Sequence, residues 1–320
     1  MSAASPHLDE RALIGRARRG DEGAYRALVE RYRGELHAHA YRMLGSVHDA
    51  EDAMQDALLR AWRGVPRFDG RSALKSWLSR IVTNTCLDLI KKRPKKMLPI
   101  DHGPPGDAHD GPGVPLTESI WIEPYPDEAL ADGRAAPEAR YEQRESVELA
   151  FVAALQHLPA RQRAVLILRE VLGYSANEVA DTLETSAPAV NSALQRARKT
   201  IDETLPERSQ AQTLRALGDD RVTEIVESYM EAWERGDVEA VTAMLAEDAA
   251  ITMPPMASWF RGEGVEIFLR EWAFSGRVYD LEGRRSVRVL LTSANGQPAI
   301  GTYACNDEAG AHLPTVLQVL

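Results

Sequence analysis

Apolar residues in the first hundred positions recur at helical spacing. Leu28, Tyr32, Leu36, Ala40 and Met43 follow one another at intervals of three or four, and Ala50, Ala53, Met54, Ala57, Leu58 and Ala61 recur with the same i, i+3, i+4 pattern, which predicts amphipathic helices. Ser46 with Asp49 three residues on marks a helix start. A further helix runs from about Ala73 to Lys92, with Leu74, Trp77, Leu78, Ile81, Val82 and Leu89 along one side. It ends in Lys91, Lys92 and Arg93 before Pro94, where cations suit the helix dipole and proline stops the helix.

The pattern breaks at Pro99. From there to Pro137 one residue in three is Pro or Gly with no repeat period, a linker composition with too little apolar surface to offset chain entropy. One island interrupts it, Trp121, Ile122, Glu123, Pro124, Tyr125, Pro126 and Asp127, and its two aromatics predict docking on a folded neighbour. Helices return at about 139–157, 160–171, 175–183 and 187–203. The last hundred residues change again. Two amphipathic helices, 221–234 and 238–246, precede Ala249–Met253, a short helix around Glu263–Trp272, and apolar runs Val287–Ser293 and Ala299–Ala304 flanking Asn295-Gly296. Asn-Gly between apolar runs predicts a tight hairpin, and a last strand is expected at Leu313–Leu320. The fold class is multidomain: two all-α helical domains, then an α+β domain.

Residues 175–201 read as a helix-turn-helix. Ser175 and Glu178 form a capping box, and Val179, Ala180 and Leu183 face inward. After Glu184-Thr185, Ser186 caps a second helix with Pro188 in its first turn, where a missing N–H costs nothing. Val190, Leu194, Ala197 and Ile201 form the buried stripe of that helix. Asn191, Ser192, Gln195, Arg196 and Lys199 fall on the other side, with short polar groups suited to base edges and cations suited to phosphates. The alternative is a plain helical hairpin with a solvated face. Glu184 stands where the turn prefers glycine, at a cost of roughly 0.5–1 kcal/mol.

The chain has 320 residues, and its net charge of −10 is unevenly spread. Residues 1–100 carry +7, 101–146 carry −8, 147–205 carry −1 and 206–320 carry −8. A basic front on an acidic chain points to an anionic partner for that end, nucleic acid first. The apolar run Leu149–Leu155 is far short of the ~20 residues a membrane span needs. The first twenty residues lack the apolar stretch of a secretory leader. Cys86 and Cys305 are too few for a disulfide framework, so a soluble cytoplasmic protein is expected.

The stretch Leu158–Arg169, then Gly173–Ala180 and Ala189–Arg198, resembles region four of a bacterial extracytoplasmic-function (ECF) sigma factor of the sigma-70 superfamily. Asp49–Trp62 and Phe68–Asn84 resemble region two, in the right order along the chain. The resemblance implies that 8–96 binds core RNA polymerase and the −10 promoter element, and that 139–205 reads the −35 element. The linker would occupy 97–138. Asp49, Glu51, Asp52, Gln55 and Asp56 would meet the clamp coiled coil of the largest polymerase subunit, with the flap of the second-largest subunit as a further contact. Phe68, Asp69, Arg71 and Ser72 would form the loop holding an extruded base, with Lys75, Arg80 and Asn84 along the melted strand. Lys91, Lys92 and Arg93, with Lys95 and Lys96, would contact phosphates. Trp77 fits the core stripe as well as the strand. Ser186, Asn191, Ser192, Gln195, Arg196 and Lys199 would read the −35 element.

Residues 219–320, with Met253-Pro-Pro-Met256 and Trp259-Phe-Arg-Gly262, resemble cone-shaped SnoaL-like domains, and ECF sigma factors with such an extension form a subgroup. The island Trp121, Glu123, Pro124, Tyr125, Pro126 and Asp127 resembles that subgroup's linker motif, which implies regulation by contact of the extension with linker and sigma domains. Tyr229, Trp233, Met253, Trp259, Trp272 and Tyr303 are candidates for an apolar cavity. The only histidine of the tail is His312, so no catalysis and no cofactor are expected. Asp101, His102, Asp107, His109 and Asp110 lack the rigid support a metal site needs, and no metal is expected. Leu320 falls inside an apparent strand of a fold that usually continues, so the extension is either short or truncated. The rival reading is a ligand-responsive one-component DNA-binding regulator with an enzyme-like tail.

Overall fold

The first helices hide small and apolar residues against one another. In the computed structural model, which describes residues 6–70, 72–118, 120–129, 146–205, 208–275, 277, 287–306 and 310–320, they are α1 (Pro6–Ala17), α2 (Glu22–Glu30), α3 (Arg33–Leu44), α4 (Val47–Gly64) and α5 (Leu74–Ile90). Ser46 caps α4 by accepting from the Asp49 N–H at 3.1 Å. Ala50, Ala53, Met54, Ala57 and Ala61 of α4 are buried, opposite Leu36, Tyr41 and Met43 of α3 and Leu78, Val82 and Cys86 of α5. Alanine on the inner side lets α4 approach its neighbours closely.

Helices Leu149–His157, Ala160–Leu166, Ala176–Leu183 and Ala187–Thr204 follow, with a π turn at Ile167–Val171. Both predicted caps of the helix-turn-helix form: the Ser175/Glu178 capping box is closed, and Ser186 Oγ accepts from the Ala189 N–H. Glu184 has φ 52°, so a carboxylate side chain occupies the left-handed position that glycine would fill more cheaply. Residues 139–145 of the predicted helix lie outside the described residues.

The chain divides into two units, Met1–Lys95 with Glu128–Leu205, and Lys96–Asp127 with Pro206–Leu320. In the second, helices Gln210–Leu217, Asp219–Arg235, Val238–Ala243 and Glu263–Phe268 accompany two antiparallel sheets. One pairs β1 (Ala250–Thr252) with β2 (Trp259–Arg261); the other has the order β3 (Val287–Ala294), β4 (Gln297–Asn306), β5 (Ala311–Val319). Asn295 (φ 57°) and Gly296 (φ 73°) make the β3–β4 turn, the doubly left-handed geometry that favours Asn-Gly. Trp233, Val241, Phe260, Phe268, Leu269, Val289 and Ile300 form the core, with Phe260 and Phe268 stacked at 5.1 Å. The helix Gln210–Leu217 and strand β2 are additions to the sequence-based reading. The helix buries no residue, although a Ser209/Gln212 capping box marks its start, and three-residue β2 is too short to show alternation.

The Pro/Gly-rich stretch is more ordered than its linker composition suggests, and not only at the island. Residues 96–127 are part of the second unit, fastened along its surface by backbone groups. Gly106 N–H donates to Trp259 O at 2.9 Å, and Leu116 N–H to Pro255 O at 3.0 Å. Trp259 Nε1 donates to Gly103 O at 2.8 Å, and Ala108 sits in the core cluster. Composition underestimates this order because the partners are supplied from 130 or more positions away.

Candidate nucleic-acid interface

The recognition helix Ala187–Thr204 buries Val190, Leu194, Ala197 and Ile201 against its own unit. Asn191, Ser192, Gln195, Arg196 and Lys199 are all exposed on its other side, one surface of short polar groups followed by cations. Lys199 Nζ lies 3.8 Å from Glu203 on the same helix. Ser186 is exposed, but its hydroxyl is engaged in the cap. Arg198 anchors the helix laterally through Glu170, at 2.8 Å. The helix is thereby capped, stapled and free to present its outer side.

The front region is different. Glu51, Asp52, Gln55 and Asp56 project from α4 into solvent, as their spacing predicts, but Asp49 is buried. The Arg93 guanidinium spans both carboxylates, with one nitrogen on Asp49 Oδ1 and the other on Asp52 Oδ2 at 2.7 Å. This corrects two expectations: Asp49 is not an open contact, and Arg93 is not a free phosphate ligand. Folding brings residues 41 and 44 positions apart into a charge-assisted fork, which no local spacing reveals.

Other expected DNA contacts are similarly engaged. Lys75 pairs with Glu35 of α3. Arg80 lies 3.6 Å from Glu184 in the turn of the helix-turn-helix, and Lys91 lies 3.5 Å from Asp88. Asn84 is half-buried and lines a cleft of about 260 Å³ with Lys91, Arg161, Thr182 and Glu184. Phe68 is buried with its ring 5.1 Å from Trp77, so it forms the underside of its loop and not an open wall. Asp69, Ser72, Lys92 and Lys95 are exposed, Lys96 is buried, and Arg71 lies outside the described residues.

A feature the sequence reading missed holds the two helical parts of the first unit together. Arg163 is buried and donates to Met43 O at the end of α3, to Gln156 Oε1, to Gln156 O at 3.2 Å and to Leu158 O at 3.3 Å. These carbonyls close helix C-termini, whose partial negative charge suits a cation. Burial lowers the guanidinium pKa to about 10, still protonated at neutral pH. Arg42 Nε donates to Ser146 O at 2.9 Å, and Tyr174 OH to Ser79 Oγ at 3.0 Å. Beneath them His39 Nε2 meets Thr83 Oγ1 at 2.8 Å, and burial drives its pKa down to about 3, so the ring stays neutral. Arg161 and Gln162 share the same short helix, so no local pattern singles out Arg163 as the buried cation.

In the second unit the island is seated firmly. Trp121, Ile122 and Tyr125 are buried, and Trp121 Nε1 donates to Pro255 O at 3.0 Å. Asn295, itself buried at the hairpin turn, accepts from the Tyr125 N–H at 2.8 Å and donates its own N–H to Tyr125 O at 2.8 Å. Asp127 Oδ1 accepts from the Gly296 N–H at 2.8 Å. Glu123 and Pro124 are half-buried and Pro126 is exposed. Among the described residues, the five tail aromatics and one methionine named as cavity candidates take different places. Trp233, Tyr229, Met253 and Trp272 join the core cluster, Trp259 holds the linker, and Tyr303 lines an open groove of about 520 Å³ on the β3–β4–β5 sheet. Among the described residues no group of His, Cys, Asp and Glu is placed to hold a metal ion, and no helix is long and apolar enough to cross a membrane.

Comparison with known proteins agrees with this geometry. Residues 28–95 match the family described as Sigma-70 region 2, and 148–201 the family described as Sigma-70, region 4. Over 305 residues the chain is 42% identical to a Mycobacterium tuberculosis protein named ECF RNA polymerase sigma factor SigG, covering 95% of this chain and 78% of the relative. It is 30% identical over 195 residues to ECF RNA polymerase sigma factor SigW of Bacillus subtilis, covering 60% of this chain and 94% of that protein. The crystal structure of the Mycobacterium tuberculosis extracytoplasmic function sigma factor SigJ is similar in fold, with a TM-score of 0.56 at 22% identity over 90% of this chain and 88% of SigJ.

Proposed function

The chain belongs to the extracytoplasmic-function sigma factors, and on that premise we propose how its surfaces divide the work of promoter-specific initiation. As a sigma factor it binds core RNA polymerase and promoter DNA and directs transcription initiation. Sigma factors are not an enzyme family, and the proposal assigns this chain no catalytic step; it works beside the polymerase in the cytoplasm. The observation that carries the assignment of surfaces is the capped recognition helix with Asn191, Ser192, Gln195 and Arg196 exposed along one side.

That helix reads the −35 element, amides and hydroxyls meeting base edges while Arg196 and Lys199 meet phosphates. Residues 8–96 take the −10 element through the Phe68–Ser72 loop and α5, with Lys91 and Lys92 at the backbone. The open acidic side of α4, namely Glu51, Asp52, Gln55 and Asp56, meets the basic clamp of the polymerase. The SnoaL-like domain controls the linker by holding Trp121, Tyr125 and Asp127 on its own surface. Unseating the linker changes transcription from the same promoter.

The experiment is core polymerase binding by the full chain carrying Asp52→Arg and Asp56→Arg. Reversing two charges on an exposed helix side is expected to weaken core binding by more than about 100-fold with the helical content unchanged. Retained binding would remove α4 as the polymerase surface.

A further inference from the structure

Arg93 lies outside every helix, one residue before Pro94, in a run of cations that invites a phosphate-binding role. Its geometry is of another kind. The fork reaches Asp49 and Asp52, three apart on α4, so that one guanidinium takes a carboxylate from each of two positions on the same helix side. The Asp49 side chain is 10% exposed and the Asp52 side chain 56% exposed, with Arg93 at 35%. The inner carboxylate is therefore a permanent anchor, and the outer one is held in place while still facing solvent. Asp49 sits in the first turn of α4, beside the N-terminal dipole and the Ser46 cap, a position that favours an acidic side chain. By contrast Lys92 and Lys95 are exposed, the ordinary presentation of phosphate-binding side chains.

We infer that Arg93 is a positioning residue for polymerase binding: it orients Asp52 and locks the end of α5, the DNA-facing helix, to the start of α4, the polymerase-facing helix. The inference deepens the assignment of α4 to the clamp and rests on it. Its consequence runs against simple electrostatics. Arg93 places a positive charge within an acidic surface that meets a basic partner, so Coulomb attraction alone predicts that removing it strengthens core binding. Positioning predicts the reverse, because Asp52 loses its fixed direction and the two helices lose their clasp. Lysine keeps the charge but presents one ammonium where two separated carboxylates need a fork.

The test measures the affinity of the full chain for core polymerase and, separately, for promoter DNA in the holoenzyme. Arg93→Ala is expected to weaken core binding about tenfold, in the range of coupled contacts, and Arg93→Lys to recover part of the loss. Because the alanine variant removes the guanidinium from a buried carboxylate, Arg93→Ala with Asp49→Asn is measured beside it and is expected to show the same loss while keeping the thermal stability of the wild type. Asp52→Ala is expected to cost much less in the Arg93→Ala background than alone. Unchanged or tighter core binding overturns the inference, as does a loss confined to promoter DNA with a salt slope smaller by about one, the mark of a single phosphate contact. Asp56→Arg, which touches neither Arg93 nor its partners, separates the two layers. If it leaves core binding intact, the clamp assignment and the inference fall together; if it abolishes binding while Arg93→Ala does not, the inference alone falls.

Discussion

On α5 and the turn after it, Lys75, Arg80, Lys91 and Arg93 each face a carboxylate of this same chain. On the recognition helix Asn191, Ser192, Gln195 and Arg196 stand exposed, and Lys199 pairs loosely along its own helix. Both regions are read as DNA-binding, yet one presents its groups and the other has them spoken for. Under the proposed assignment a phosphate reaching Lys75, Arg80 or Lys91 must displace a carboxylate, whereas the outer side of the helix Ala187–Thr204 is open as it stands. The solvent-exposed pairs of Lys75, Arg80 and Lys91 are worth only about 0–1 kcal/mol each, so those positions are restrained and not blocked, whereas Arg93 is anchored on buried Asp49. Pairs as weak as those three can be exchanged for phosphates at little cost.

The largest disturbance of this contrast comes from Arg163. Arg163→Met removes a cation from three helix-terminal carbonyls and the Gln156 side chain. The orphaned acceptors are expected to cost about 3 kcal/mol of stability, read as a lower urea midpoint. The same variant should loosen the Tyr174–Ser79 and Arg80–Glu184 contacts, so that the front region comes to resemble the recognition helix in exposure. An unchanged midpoint would mean that the network contributes no net stability.

Gln195→Ala acts on the open side. If Gln195 makes a bidentate base contact, discrimination at one −35 position falls by about 1–3 kcal/mol while other positions keep theirs. Transcription from a panel of single-base −35 variants reads this directly, and uniform weakening across the panel would reassign the residue to the backbone. Lys199→Ala is the counterpart, expected to weaken all promoters alike.

Glu184→Gly sharpens the contrast from the other direction. Glycine accepts φ 52° without the side-chain penalty, a gain of about 0.5–1 kcal/mol in thermal stability. It also frees Arg80, so binding of single-stranded −10 DNA by the isolated protein should rise. Glu184→Gln frees Arg80 without the backbone gain, and the pair of variants separates the two effects.

The smallest effect lies in the second unit, where His109 Nδ1 meets Glu271 at 3.2 Å. The hydrogen bond and charge of Glu271 raise the histidine pKa above its ordinary 6.5. A raised folded value means the pair contributes fully below about pH 6.5 and fades as pH rises through the folded pKa. Glu271→Gln is expected to return the His109 titration, followed by NMR, toward 6.5; no movement would remove the pair as the cause.

The two regions also differ in how much of them the sequence discloses. The recognition helix was readable because caps, buried stripe and polar side all lie within 30 residues. Its ends fall within a residue or two of expectation, and even the awkward Glu184 was visible as a non-glycine at a turn. The hairpin at Asn295-Gly296 was readable for the same reason, since two adjacent residues set the turn. In the front region the helices were legible, but the partners of Lys75, Arg80 and Arg93 are 40 or more residues away and follow from packing alone. Pro and Gly between residues 99 and 137 suggested a free tether because composition measures only what a segment buries by itself. It is silent about the carbonyls of Pro255 and Trp259 and the side chain of Asn295 that fasten residues 103–127.

The central claim, that this chain lends promoter specificity through two unequal DNA-reading regions, is tested most directly by in vitro transcription. Core RNA polymerase is mixed with the full chain or its Asp52→Arg, Asp56→Arg variant, on genomic templates that include the region upstream of its own gene. Transcripts from defined start sites are expected with the full chain and none with the variant. Absence of directed initiation, together with tight binding of the free protein to a palindromic site, would contradict it and favour a polymerase-independent regulator.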